Sequence, residues 1–270
     1  MATTVVDGFK TTIKLKTRYP ELSFDKLRMY FGEPYVIDVK SVDGTVTVLI
    51  PKMQQLLDIG EERFYSTLNI FTTNTTQYRL VLSKANPPLD WNEISDFELF
   101  ISLYREADDE VVACLFDNLD LKGFGVYMKN KTEKILYNKA TKTEINEEVY
   151  QHIAQYLRLV FHLHVEEKIT RDPILKKMYL QKDEFAFNRA KKSKDKGSES
   201  IQPLVSFCVN HPGFKYKLNE LKEVNICEFY DSASRLQVYE NTRALLGGSY
   251  SGMIDTSKID KESFNFMRKI

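Results

Sequence analysis

The sequence predicts an α+β fold: a mixed N-terminal body with short antiparallel strands and helices, followed by a helical C-terminal piece. Three observations carry this. Strand-like runs flank Asp43-Gly44, and a second such pair flanks Asn130-Lys131-Thr132, so the first half pairs strands locally. From Thr143 onward, apolar residues recur at helical spacing. Between the two apolar regions, the run 191–200 contains no apolar residue at all. Such a run buries too little surface to offset the entropy of ordering it, and it reads as a solvated connector. The expected organisation is a mixed body at 1–142, a two-helix segment packed on it at 143–190, a flexible charged linker at 191–200 and a helical domain at 201–270.

Each element has a local reason. The runs 35–39 and 45–50 are rich in Val and Ile, and Asp43-Gly44 between them predicts a two-residue hairpin. Pro51 ends the second strand and opens a helix carrying Leu56, Leu57 and Ile59, which Gly60 closes. A second helix sets Phe64, Leu68 and Phe71 on one face. The polar stretch 72–77 is a loop, and 78–82 suits strand or helix equally. Asn86-Pro87-Pro88 breaks the chain before a helix over 92–104 with Ile94, Phe97, Phe100, Ile101 and Tyr104 aligned. Asp108-Asp109-Glu110 reads as a turn leading into a strand over 111–116, and 125–128 pairs with 134–137 as a hairpin.

The strongest periodicity runs from Thr143, read as an N-cap, to His164. Asp172-Pro173 then starts a helix that aligns Ile174, Met178, Gln181 and Phe185; the two helices are expected to pack as a pair. Beyond the connector, 203–209, 218–246 and 260–267 read as helices. Asp260 caps the last, with Ile259 and Phe264 as a hydrophobic staple.

Composition narrows the function. Lys+Arg and Asp+Glu both number 38, and 43% of residues are hydrophobic. A balanced charge argues against a dedicated nucleic-acid binder and is compatible with self-association. Cys114, Cys208 and Cys227 lack any metal or redox spacing and read as reduced core thiols of a cytosolic protein. The first residues show no signal-peptide pattern, and the most apolar run, 153–163, is interrupted by Gln155, Arg158 and His162, so no membrane span is expected.

No catalytic, metal or cofactor site is expected. His162 and His164, two apart on a helix, point in nearly opposite directions. Asp108, Asp109, Glu110, Asp117 and Asp120 fall in turn-like sequence where Asp bonds its own backbone. The glycine-rich run 247–252 follows a helix and lacks the Lys-Ser/Thr ending of a phosphate loop, so it reads as a helix stop.

Four stretches carry a resemblance. They are Pro51 with Asp58-Ile59-Gly60-Glu61-Glu62-Arg63-Phe64-Tyr65; the Trp91, Phe97, Leu99-Phe100 block leading to Phe116-Asp117-Asn118-Leu119-Asp120-Leu121; the long helix with the basic helix and Lys/Ser-rich linker behind it; and an end piece with Ser206-Phe207, Phe214-Lys215-Tyr216, a helix through Tyr239 and Gly247-Gly248-Ser249-Tyr250-Ser251-Gly252-Met253-Ile254-Asp255. In this order of parts the chain resembles a tail-assembly family of phages and prophages of Gram-positive bacteria. The resemblance implies a non-enzymatic accessory or chaperone-like protein that binds another tail component such as the tape-measure protein. It also implies work in the host cytoplasm during assembly or on the virion, and no catalytic residues.

Two binding surfaces are expected from the residues. A tethered, aromatic-rich end piece would dock a partner through Phe207, Phe214, Tyr216, Phe229, Tyr230 and Tyr239. Alternatively, the basic helix over 173–196 would contact nucleic acid through Lys176, Lys177, Lys182, Arg189, Lys191 and Lys192, with Phe185 and Phe187 stacking on bases.

Overall fold

The computed structural model describes residues 4–6, 9–11, 18–129, 133–192 and 200–269. It opens with an antiparallel pair, β1 (Thr4–Val6) and β2 (Phe9–Thr11). Helix α1 (Lys26–Tyr30) follows, its first turn capped by the Asp25 carboxylate, which accepts from the Leu27 and Arg28 amides. Strands β3 (Tyr35–Ile37) and β4 (Val46–Val48) pair antiparallel with Ile37 opposite Val46. That register leaves residues 38–45 in the connection, so Asp43-Gly44 sits within a longer loop and is not a two-residue hairpin.

Helices α2 (Met53–Ile59) and α3 (Glu61–Thr72) meet at Gly60, whose φ of +93° favours glycine. The ambiguous run at 78–82 is helical, as α4 (Arg79–Ser83). The expected helix after the proline break is shorter than its apolar pattern. It is α5 (Asp96–Leu103), held at its start by a reciprocal bond between Ser95 and Glu98. The expected strand over 111–116 is instead α6 (Asp109–Leu115), because the Asp108 side chain accepts from the Glu110 and Val111 amides and starts a helix. The strand is confined to β5 (Phe116–Asp117), which pairs with β4 to give the order β3-β4-β5.

The second sheet is β6 (Phe124–Met128), β7 (Lys134–Asn138) and β8 (Thr143–Ile145), antiparallel throughout and in that order. The expected hairpin forms, and its register sets Gly125 opposite Tyr137 and Tyr127 opposite Ile135. The turn residues Asn130-Lys131-Thr132 lie outside the described residues. Thr143 starts a strand and caps no helix. Asn146 does that, accepting from the Val149 amide at the head of α7 (Glu147–Val160). This helix stops short of His162 and His164. His162 has left the helical path, with φ of +51°.

Helix α8 (Pro173–Lys192) lies against α4 and does not pair with α7. It includes Lys191 and Lys192, so the charged connector begins as helix; residues 193–199 of that connector lie outside the described residues. The end piece holds α9 (Gln202–Asn210), α10 (Leu218–Leu221) and α11 (Ile226–Tyr250). The expected final helix is only a 3-10 turn at Lys261–Phe264 behind the Asp260 cap. The single helix expected over 218–246 is broken at 222–225, and α11 runs on through Gly247 and Gly248 to end at Tyr250, inside the glycine run. A Cβ on Gly248 would collide with Ile254, so this glycine lets the chain fold back on the helix end.

One hydrophobic core joins these parts. Ile153, Ala154, Leu157 and Val160 of α7 are fully buried, and the same cluster takes in Phe64, Phe71, Phe100 and Phe116 from the body. It also takes in Ile201, Cys208, Leu221, Val224, Ile226 and Phe229 from the end piece. The backbone is stitched as well. Met53 donates to Val224 O (3.0 Å), Gln54 to Lys222 O (3.0 Å) and Ile226 to Pro51 O (2.9 Å). The end piece is therefore no separately hinged domain: Ile226, Cys227, Phe229 and Ala233 at the start of its long helix are buried in the core shared with the body. The α+β class stands.

Candidate functional site

The six end-piece aromatics mostly serve the fold. Phe229 is fully buried, and Tyr230 faces the body, its hydroxyl 2.7 Å from that of Tyr65 and its ring stacked on His162. Phe214 and Tyr216 meet edge to face at 5.6 Å and pack against the core. The Tyr216 hydroxyl donates to Glu228, and that bond to a carboxylate pushes the phenol up to about 12. Only Phe207 and Tyr239 expose much surface, and Tyr239 packs against Phe266 at 5.5 Å. The structure thus does not gather these residues into one docking face.

The other predicted surface is different. Helix α8 has twenty residues, roughly 30 Å of length at the helical rise, and none of them is buried. It is held along one side by polar and cationic contacts. The Arg79 guanidinium grips the Asp183 carboxylate with two hydrogen bonds (2.5 and 2.6 Å), and Lys84 pairs with Glu184 at 2.7 Å. Tyr179 lies under Arg79 and Lys168, with the cations 5.1 and 5.7 Å from its ring. Lys176 reaches inward to Asp90 and over the Trp91 ring. Burial raises the Asp90 carboxyl, but the bond and charge of Lys176 together with the bonds from Asn92 outweigh it, and the group sits below its ordinary range.

Among the described residues, nothing packs on the opposite side. Ile174 (71% exposed), Met178 (56%) and Phe185 (71%) form a line along it, spaced by four and seven residues. Around this line lie Lys177, Lys182, Arg189, Lys191 and Lys192, all exposed; Lys191 sits 4.5 Å over the ring of Phe187. Of the six predicted basic contacts, five face outward and Lys176 is consumed internally. The apolar line is visible in the sequence as helical spacing, but spacing marks a face without naming what covers it. Missing from the sequence reading is Arg79, whose grip on Asp183 turns that face outward; a lone arginine in a short apolar helix gave no signal.

The residues weighed for chemistry have structural roles. Asp108 caps α6 and binds Arg63, Asp109 pairs with Lys122, and Asp120 accepts from the Lys122 amide. Among the described residues, no group of three or more His, Cys, Asp and Glu is placed to hold a metal ion. Cys208 and Cys227 are buried free thiols, and Cys114 is half-buried. No helix among the described residues is long and apolar enough to cross a membrane.

Compared with known proteins, the chain matches no family model, no curated protein and no solved structure.

Proposed function

We propose that this chain is a non-enzymatic assembly protein that offers the outer face of α8 to another protein, and that the partner is a phage tail component such as the tape-measure chain. The observation that carries the docking mode is a twenty-residue helix with no buried residue and an apolar line down its free side. Exposed lines of this kind are the usual face by which a helix enters an apolar groove. The ring of uncompensated lysines specifies that groove: an apolar floor with acidic walls. The class of partner comes from the order of sequence segments that resembles tail-assembly proteins. The cytoplasm of an infected host, or the virion, is where such a partner is met.

The test is co-purification of the full chain with its neighbouring tail gene products, beside a variant carrying Ile174→Ser, Met178→Ser and Phe185→Ser. The expected result is capture of one tail product by the wild type, loss of that capture in the variant, and an unchanged melting temperature, because none of the three side chains is buried. Capture that survives the triple substitution removes α8 from the reading. Failure to capture any tail product removes the partner class.

A second reading rests on the same helix. Phe185 stands exposed among the outward basic residues Lys177, Lys182 and Arg189, where one base of a single strand would stack; Phe187, two residues on, points to the other side of the helix. It expects single-stranded affinity that falls steeply with salt and drops when Lys177, Lys182 and Lys191 become Gln. No binding at low salt removes it.

A further inference from the structure

The chain is pinned to the body as far as Thr170 and then released. Glu166 O accepts from Asn74 Nδ2 (3.2 Å), while Lys168 donates its amide to Thr76 Oγ1 (3.0 Å) and accepts at its carbonyl from Trp91 Nε1 (3.0 Å). Asn92 makes the last stitches, donating to Thr170 O (3.0 Å) and accepting from the Thr170 amide (3.3 Å). Arg171 and Asp172 are exposed, and Asp172 belongs to α8, because its carboxylate accepts from the Ile174 amide at 2.8 Å. Arg171 therefore separates the pinned segment from the helix. On the far side of α8 the chain is tied again at Ser200, whose hydroxyl donates to Glu61 (3.1 Å).

Between these ties, charge does most of the holding. Among the described residues, no backbone hydrogen bond joins α8 to the body. Its inner stripe is Lys176, Tyr179, Leu180 and Asp183, residues on one helical face that are only half-buried. Three ion pairs fix that side: Lys176 with Asp90, Asp183 with Arg79 and Glu184 with Lys84. Every residue from Glu184 to Lys192 is exposed. Helix α7 is the contrary case, with Ile153, Ala154, Leu157 and Val160 enclosed in the core.

The two attachments respond differently to salt. The screening length falls from about 10 Å in 0.1 M salt to about 3 Å in 1 M, which weakens charge pairs that solvent reaches. Burial of apolar surface does not depend on charge and keeps its strength.

We propose that α8 is a strap, latched by these three pairs, that lifts off the body as one unit about Arg171 and so bares Tyr179 and Leu180 of its inner stripe beside its outer line. A groove that encloses a helix needs contact on more than one face, and the lifted strap supplies it. The latch consists of contacts within this chain and works with any partner. Its failure leaves the outer-face reading standing, because that face is exposed with the latch closed.

The test is the rate at which a thiol reagent modifies Leu180→Cys, on the inner stripe, against Gln181→Cys, an exposed neighbour, after subtraction of the reaction of the native thiols. In 0.1 M sodium chloride Leu180→Cys should react about fivefold more slowly than Gln181→Cys or slower still, as a site reached only by local opening does. In 1 M sodium chloride that ratio should fall by about twofold or more. Adding Asp183→Asn should produce the same fall in 0.1 M. Amide exchange places the hinge: the Lys168 amide and the α7 amides should keep their protection in 1 M salt while those of α8 lose theirs, since a helix of this length is marginal in water once detached. Equal rates in 0.1 M salt, a ratio unmoved by salt or by Asp183→Asn, or loss of Lys168 or α7 protection together with that of α8 overturns the proposal.

Discussion

The hydroxyls of Tyr65 and Tyr230 lie 2.7 Å apart although 165 positions separate them in the chain. One belongs to α3 in the first half and the other to α11 in the end piece, and both rings are largely sheltered from water. Beside them run the backbone bonds between the segment at Pro51 to Gln54 and the segment at Lys222 to Ile226. This seam makes the two halves one cooperative unit, and its consequences can be measured.

Phe229 is the most direct probe of that unity. Its ring is fully buried in the shared core, so Phe229→Ala should cost about 3–5 kcal/mol. Trp91 is the sole tryptophan and sits in the body. Urea unfolding followed by Trp91 fluorescence should shift by the full amount, together with the circular dichroism. A Trp91 transition left in place by Phe229→Ala would mean that the end piece unfolds alone.

The tyrosine pair itself is accessible to a double-mutant cycle. Tyr65→Phe and Tyr230→Phe should each cost about 1 kcal/mol, because each leaves the other hydroxyl without its partner. The double variant should lose less than the sum, with a coupling of about 0.5–1 kcal/mol in chemical denaturation. Strict additivity would show that the two hydroxyls do not depend on each other.

Alkaline pH should strike the same region. Burial is the main cause that raises the phenols of Tyr65, Tyr150 and Tyr156, and the bond to Glu228 pushes Tyr216 up to about 12. An unfolded tyrosine ionises near 10. A group whose folded pKa lies above its unfolded one contributes its stability in full below the unfolded value and loses it as pH rises toward the folded one. Burial also raises the thiols of Cys114, Cys208 and Cys227, so stability should begin to fall above about pH 8.5 and fall further between about 10 and 12, with Tyr216→Phe reducing the slope of the second part. Denaturation midpoints at pH 9 and pH 11 check the sign.

Much of this architecture was legible from residues alone, for identifiable reasons. The hairpin of β6 and β7 follows from alternation, and the junction at Gly60 from a glycine between two amphipathic runs. The run expected as a strand at 111–116 is helical because the Asp108 carboxylate caps its first turn, a role the sequence of a turn does not distinguish. The end piece departs furthest from what its sequence predicts. Helical spacing in α11 shows that one face is buried, but the same spacing serves a helix packed within its own domain and one packed across the whole molecule. Cys208, Ile226 and Phe229 carry no mark of which. The candidate surface on α8 was half visible: the line Ile174, Met178, Phe185 was plain, while its outward turn depends on Arg79, a hundred residues away from Asp183.

That anchor yields a fourth expectation. Arg79 is mostly buried and spends two hydrogen bonds on Asp183. Asp183→Asn preserves the shape but removes the charge that compensates the guanidinium, at a cost of about 2 kcal/mol. Because no residue of α8 is buried, that loss should appear as local opening and not as global unfolding. Amide exchange along α8 should speed up roughly tenfold or more while the α7 amides keep their protection. Equal acceleration in both helices would show that α8 is part of the cooperative core.

Gln151 gives the most discriminating stability measurement. Its Nε2 has no hydrogen-bond partner, and Gln155, fixed between the Leu22 amide and Pro20 O, offers it only a donor. A buried donor without a partner costs a protein about 1–3 kcal/mol. Gln151→Met removes the orphan and fills the same volume; it also gives up the long 3.4 Å bond from Gln155, whose Nε2 keeps Pro20 O as acceptor. The favourable term exceeds the lost one, so the variant should melt at or above the wild-type temperature. Calorimetry of the two proteins checks the sign, and a clear drop for Gln151→Met would show that Gln151 supports the fold despite its unpartnered nitrogen.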